Sequence, residues 1–276
     1  MDQDNTVHPI VSSSVVYRVA AMDAVTVRRD VEYRVDEAGT LTMDIYYPPG
    51  AKQKLPLPAV MFVLGYSDTG AVARFGRKFK DMGAYTSWGR LTAASGMAAV
   101  TYSTREPASD FTAALQFLLA NAVSLGLDEA RIGMWACSGN VPMALSALMG
   151  EAGRSMAFAV LTHGYMLDVD RSTGIAEAAR GFGFVNPAAG KSVDDLPPDL
   201  PLFIVRAGRD EMPGLNESID RFLSGALAHN LPLTFVNLSA APHAYDLFDA
   251  SEASRDVIRR ILAFLRGHLL GAPERP

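Results

Sequence analysis

Three side chains in this sequence have the types and the order needed to activate a hydroxyl group: Ser138, Asp210 and His243. A serine hydroxyl is a weak nucleophile until a base takes its proton, and an imidazole serves best when an acid holds its other nitrogen. Ser138 lies in the stretch 131–143, RIGMWACSGNVPM, where a mostly apolar run meets a small polar corner and then an apolar helical pattern. A strand that turns sharply into a helix with serine at the corner is a nucleophile elbow, whose strict frame is G-x-S-x-G. Here the frame reads Ala136-Cys137-Ser138-Gly139-Asn140, and its small flanks leave room for a serine on strained backbone. The same serine could instead cap the following helix, a role for which Ser is favoured. Cys137 is the better nucleophile by type. Taking it as the corner would put the indole of Trp135 two residues earlier, where a tight turn has no space for it.

The base and the acid must then come from other strand ends, because in open α/β sheets reacting groups gather outside the carboxyl ends of the strands. Of the five histidines, His8 is in the N-terminal arm, and His229 and His268 lie near helix C-termini, where a cation meets the dipole. His163 and His243 both follow strands. His243 sits in the short loop SAAPHAY between the last strand and the last helix, and is the preferred base; His163 fits either a pocket role or a structural hydrogen bond. Asp210, in RAGRDEMP just past another strand, is the preferred acid, although an aspartate there could also be a turn residue. Glu211 is a poorer choice, since adjacent residues cannot both aim at one imidazole, and Asp246 and Asp249 would reverse the order. For the developing oxyanion, the amide of Gly139 is one expected donor and that of Tyr66 the other, with Gly65 allowing close backbone approach. Gly65, Ser67, Cys137, His163, Tyr165 and Met166 are candidate pocket residues.

These residues need a scaffold that delivers strand ends to one edge. Segments 25–35 and 41–47 alternate apolar and polar residues around Glu37-Ala38-Gly39, which predicts a hairpin. Apolar runs at 59–64, 98–102, 132–136, 157–162, 202–205 and 233–238 read as strands, the first of them buried on both faces. Between them, helical periods occupy 87–95, 110–125, the stretch after the elbow to Gly150, 215–227 and 250–270. Asp110 is expected to cap the second of these, and Asp249 with Glu252 to form a capping box on the last. The chain after Gly65 reads as irregular to about Thr86. Residues 165–200 break the rhythm: apart from a short helix at 175–180 they hold the Phe182/Phe184 segment and a Pro-rich end, as a cap insertion would. The expected organisation is an arm over 1–20 and a single α/β domain over 21–276, with a mainly parallel central sheet flanked by helices.

Composition narrows the classes. The chain has 276 residues, 49% hydrophobic and 20% charged, which is globular usage sufficient for one large domain. Net charge is −5 with the signs interspersed, and no basic stripe is present, which argues against nucleic acid as a partner. No stretch of about 18 apolar residues predicts a membrane span. The single cysteine precludes an internal disulfide and fits a reducing compartment, and the acidic N-terminus does not resemble an export signal, so a cytoplasmic location is expected, export with a removed signal being the alternative. Oligomeric state is not readable.

With those residues in view, the sequence resembles the α/β-hydrolase superfamily, in its esterase and dienelactone-hydrolase-like branch, over about residues 25–270. The resemblance rests on LTMDIYYP in the second strand, RIGMWACSG at the elbow, AGRD around Asp210 and APHA around His243. It implies the α/β-hydrolase fold, a Ser138–His243–Asp210 triad in the chain order Ser…Asp…His, and hydrolysis of small or medium acyl esters without metal or organic cofactor. Three features depart from the pattern. The oxyanion segment Leu64-Gly65-Tyr66 lacks an HGGG run, Ala136 and Asn140 stand where glycine is usual, and serine replaces the cysteine of dienelactone hydrolases proper. A serine peptidase or acylaminoacyl hydrolase shares the same parts, and a catalytically idle binding protein of this fold is the alternative from another class.

Overall fold

The computed structural model describes residues 9–51, 56–168 and 173–271; His8, part of the polar loop after the hairpin, four residues of the 165–200 segment and the last five residues lie outside them. Among the described residues, eight strands form one sheet in the order β1-β2-β4-β3-β5-β6-β7-β8. The first two are the hairpin β1 (Thr26–Asp36) and β2 (Gly39–Tyr47), and β2 pairs antiparallel with β4 (Ala98–Tyr102). Every other pairing is parallel, through β3 (Leu57–Phe62), β5 (Leu127–Cys137), β6 (Met156–Thr162), β7 (Leu202–Ala207) and β8 (Leu233–Leu238). A parallel sheet needs crossovers, and here helices supply them, so central strands are covered on both faces. All six residues of β3 are buried, as its continuous apolar run predicts.

The helices are α1 (Pro9–Ser12), α2 (Asp68–Phe75), α3 (Gly83–Ala94), α4 (Pro107–Ala120), α5 (Ala122–Leu125), α6 (Val141–Leu148), α7 (Ile175–Phe182), α8 (Leu215–Ala228), α9 (Tyr245–Phe248) and α10 (Glu252–Leu269). The buried stripe of α10, including Ile258, Ile261, Leu262 and Leu265, packs towards β5, β6 and β8. No helix among the described residues is long and apolar enough to cross a membrane. From Pro9 onward the N-terminal residues lie on the body: Val11 and Val15 are buried, and the Val15 amide donates to Ser87 Oγ at 2.9 Å.

Local chemistry explains where the elements depart from expectation. Helix α2 occupies part of the stretch that reads as irregular. It is short and contains Gly70, but Ser67 caps it by accepting from the Gly70 amide at 3.1 Å, and Gly76 ends it at φ 74°. Asp110 does not cap α4. Pro107 starts the helix with its preset φ, and the Asp110 carboxylate reaches back to the amides of Arg105 and Glu106 at 2.6 and 2.7 Å. On α10 the cap is Ser251, which accepts from the Ser254 amide at 3.2 Å, while Asp249 holds Ser251 and Ser254 from one step further out.

Candidate active site

Because β5 to β8 run parallel, the residues that follow them emerge at one edge of the sheet. Ser138 follows β5, His163 follows β6, Asp210 lies beyond β7 and His243 beyond β8. Ser138 Oγ lies 2.9 Å from His243 Nε2, and His243 Nδ1 lies 2.6 Å from Asp210 Oδ2. The second Asp210 oxygen accepts from the Met212 amide at 3.0 Å, so the carboxylate is held at both ends, and its side chain is fully buried. The loops bearing acid and base are stitched together by Gly208 N to Leu238 O and Arg209 N to Ala241 O, both 2.9 Å. A Cβ at Gly208 would strike the backbone of Ser239, so only glycine permits this approach.

The backbone is strained where the site is built. Of five described non-glycine residues with positive φ, three belong here: Ser138 at 52°, His163 at 35° and Ala244 at 50°. A left-handed residue costs about 1 kcal/mol or more outside glycine, and such residues concentrate at functional sites. The Ser138 corner projects its hydroxyl out of the line of β5, which a regular strand-to-helix connection would not do.

Asn140 is the group that reading the sequence undervalues. Its Oδ1 accepts from the Gly65 amide at 2.7 Å, and its Nδ2 donates to Cys137 O at 3.0 Å and to Tyr85 Oη at 2.9 Å. A position that reads as a lapse from glycine is therefore a clamp between the elbow and the loop after β3. A Cβ on Gly65 would meet the Gly139 carbonyl at 2.7 Å, so the backbone at 65–66 runs against the elbow, where a Tyr66 amide could act with that of Gly139. The other flank, Ala136, is wholly buried in the sheet.

A cavity of about 270 Å³ opens beside Ser138. Of the candidate pocket residues its lining includes Cys137, His163 and Tyr165, together with Tyr66 and with Phe182 and Phe184 from α7 and the residues after it. Phe184 stacks on Tyr165 at 5.3 Å, and the Val185 amide donates to Gly65 O at 2.8 Å, tying that segment to the loop after β3. Three expected pocket residues do not line it. Ser67 is spent on capping α2; Met166 is wholly buried in the core, its amide held by Ser218 Oγ at 3.0 Å; Gly65 acts through backbone clearance. The lining also takes Phe79, Tyr85, Trp88, Trp135 and Asp246, which apolar periodicity marks only as core or leaves unmarked.

Burial sets the chemistry of the other candidates. It pushes the Cys137 thiol up to about 12, with the nearby Asp246 charge adding to the effect, so the thiol stays protonated. Burial, and then the neighbouring His243, hold His163 well below the ordinary histidine value, so His163 is a neutral imidazole packed edge-on at 5.0 Å from the His243 ring. Its Nδ1 has no hydrogen-bond partner.

No protein-family model matches this chain, and no curated protein does. Solved structures are similar over nearly its whole length. Brefeldin A esterase, described as a bacterial homologue of human hormone sensitive lipase, superposes with a TM-score of 0.70 at 15% identity, covering 95% of this chain and 82% of its own. A bacterial heroin esterase gives 0.67 at 16%, covering 92% and 87%, and the esterase LipW from Mycobacterium marinum gives 0.63 at 19%, covering 91% and 82%. The fold is the α/β-hydrolase fold. Within it, Ser138 occupies the sharp turn between β5 and the helix that follows, and Ser138, Asp210 and His243 succeed one another along the chain.

Proposed function

We propose that the protein is a serine hydrolase of the carboxylesterase type, acting on small or medium acyl esters. The observation that carries this reading is the continuous relay from Ser138 Oγ through His243 to Asp210, with spacings of 2.9 and 2.6 Å. Ser138 Oγ attacks the acyl carbon while His243 Nε2 takes its proton. Asp210 keeps the opposite nitrogen protonated and stabilises the imidazolium that forms. The amides of Gly139 and Tyr66 bind the oxyanion, each contributing roughly 3 kcal/mol at the transition state. His243 then protonates the departing alcohol, leaving an acyl-enzyme on Ser138. Water, deprotonated by the same imidazole, attacks the acyl carbon and releases the acid. Every step is proton transfer or acyl transfer, so none requires a metal or an organic cofactor.

The esterase neighbours support the same reaction class, and the apolar cavity suits an uncharged acyl or alcohol group. Segment 165–200 acts in this reading as a small cap, with Phe182 and Phe184 at the cavity wall. Labelling with a fluorophosphonate probe, beside turnover of nitrophenyl esters of increasing acyl length, tests the proposal. Wild type should label and hydrolyse short to medium esters, and Ser138→Ala should do neither. Labelling that persists in Ser138→Ala would move the nucleophile elsewhere. A labelled enzyme that cleaves peptide or acylamino substrates in preference to esters would redirect the reading to a peptidase. Inhibitor-bound protein should resist proteolysis within the cap; equal cutting with and without inhibitor would remove the cap.

A further inference from the structure

The side chain of Tyr66 ends at the elbow, and no step of the proposed hydrolysis uses its hydroxyl. Tyr66 lines the cavity beside Ser138 and His243. Its Oη lies against Gly139, one of the two proposed amide donors: a Cβ built on Gly139 would come within 2.4 Å of that oxygen. A Cβ stands about 2.5 Å from the nitrogen of its own residue, so Oη is no more than about 5 Å from the Gly139 amide. Two donors that share one oxygen at about 2.8 Å each can be up to about 5.6 Å apart, so a single oxyanion can reach both. The ring of Tyr66 packs near those of Phe79 and Phe184, with centroids 4.9 and 6.0 Å away, contacts that a phenylalanine would make equally well. Among the described residues the hydroxyl has no hydrogen-bond partner, although a tyrosine O–H withdrawn from bulk water usually finds one.

We infer that the Tyr66 hydroxyl is a further catalytic donor, binding the oxyanion of the tetrahedral intermediate beside the amides of Gly139 and Tyr66. The inference rests on the serine-hydrolase reading. Burial pushes the phenol above its ordinary range, with Cys137 adding to the effect and Arg74 opposing it, so the hydroxyl stays protonated and can donate. A hydrogen bond to an ionised oxygen is roughly twice as strong as one to a neutral carbonyl. The same O–H therefore holds the transition state more tightly than the intact ester, which is what raises a rate. Its proton stays on the phenol throughout; the electron pair that moves onto the carbonyl oxygen when Ser138 attacks returns when the alcohol leaves. Glycine at 139 makes the arrangement possible, since a Cβ there would meet Phe184 Cδ1 at 2.6 Å as well as Tyr66 Oη.

Tyr66→Phe tests this, because it removes only the hydroxyl and keeps both the amide and the ring. Its kcat for a short nitrophenyl ester should fall about 100-fold, the effect of losing one oxyanion donor. Its melting temperature should stay near wild type, because the hydroxyl has no bond within the protein to lose. A trifluoromethyl ketone, which forms a tetrahedral adduct on a serine, should bind Tyr66→Phe about 100-fold more weakly than wild type. An intact ester, measured by calorimetry on Ser138→Ala, should bind equally with and without the added Tyr66→Phe. Full kcat in Tyr66→Phe overturns the inference. So does a loss of ester binding that accounts for the whole fall in kcat/KM, which would make the phenol a pocket wall only. Gly139→Ala gives a second measurement: its methyl group takes the space beside Oη, so adding Tyr66→Phe to it should cost no more than about twofold in kcat. A second full loss of about 100-fold there overturns the inference too. A wild type that turns over no ester and takes no fluorophosphonate label removes the hydrolase reading and the inference with it. Failure of the inference alone looks different, with wild type and Tyr66→Phe equally active.

Discussion

Asp44 and Asp246 are both buried aspartates in apolar surroundings, and the protein treats them in opposite ways. Asp44, on β2, is wholly buried, yet each of its oxygens is occupied: Oδ1 accepts from the Asp30 amide at 2.9 Å and from Lys80 Nζ at 3.0 Å, and Oδ2 pairs with Arg29 at 3.2 Å. Burial pulls Lys80 down, but its hydrogen bonds to Asp30 and Asp44 outweigh it and hold the ammonium above its ordinary value. This cluster pins a bulge in β1, where the register slips between Arg28 and Val31 and Asp30 adopts φ 53°. Asp246 has one side-chain partner, Trp88, and its other oxygen, equally buried, has none. The difference separates a polar group that is saturated and organises the fold from one that the fold leaves half-paired. A saturated cluster specifies one backbone arrangement, whereas a partly satisfied one bears an uncompensated cost of burial.

That contrast can be broken or sharpened by substitution. The largest effect should come from the site itself: Asp210→Asn should lower kcat for a nitrophenyl ester by about 10⁴-fold, with the melting temperature little changed, because the imidazole loses its correct tautomer and not its packing. On the structural side, Asp44→Ala should cost about 3 kcal/mol in urea unfolding, since it strips a partner from buried Lys80, while kcat of the folded fraction stays near wild type. Asn140→Gly restores the usual elbow residue but cuts the clamp on the Gly65 amide; kcat should fall roughly 10–100-fold with KM nearly constant, as expected when an oxyanion donor loosens. Asp246→Asn should change stability by less than about 1 kcal/mol, because the amide can still accept from Trp88 and the other oxygen had no bond to lose. A loss comparable to that of Asp44→Ala would erase the distinction between the two acids.

The smallest effect concerns pH. His163 is held neutral by burial, so its folded value lies below its unfolded one. Its contribution is complete above the ordinary histidine value of about 6.5 and declines as pH falls below that, where the unfolded chain takes up the proton first. His163→Asn, which tolerates the same left-handed backbone, should lose less thermal stability than wild type between about pH 6.5 and 5. Parallel curves for the two proteins would show that His163 is not the group responsible.

Much of this was legible in the residues because the signals were local. Continuous apolar runs such as AVMFVL at 59–64 mark strands covered on both faces, and the 3.6-residue stripe of α10 marks its buried side. The elements missed were those held by contacts outside their own period. Helix α2 depends on Ser67 and Gly76 at its ends, and α9 forms a single turn after the left-handed Ala244. Where several cap residues cluster, composition names the set without choosing the member, as Asp249 and Ser251 illustrate.

By itself the sequence determined that a serine, an acid and a histidine would each follow a strand in an alternating α/β chain, since strand periods and turn residues are properties of short segments. It did not determine what Asn140, Gly65 and Asp246 do. Those roles arise from contacts between residues far apart in the chain, and only parallel packing of β3 and β5 to β8 brings them to one edge. Tertiary structure also decided which candidates face the cavity and which, like Met166 and Ser67, are consumed by core packing and capping. The physical reason is that a side chain's type limits its chemistry, while its availability depends on what burial and neighbours leave unpaired.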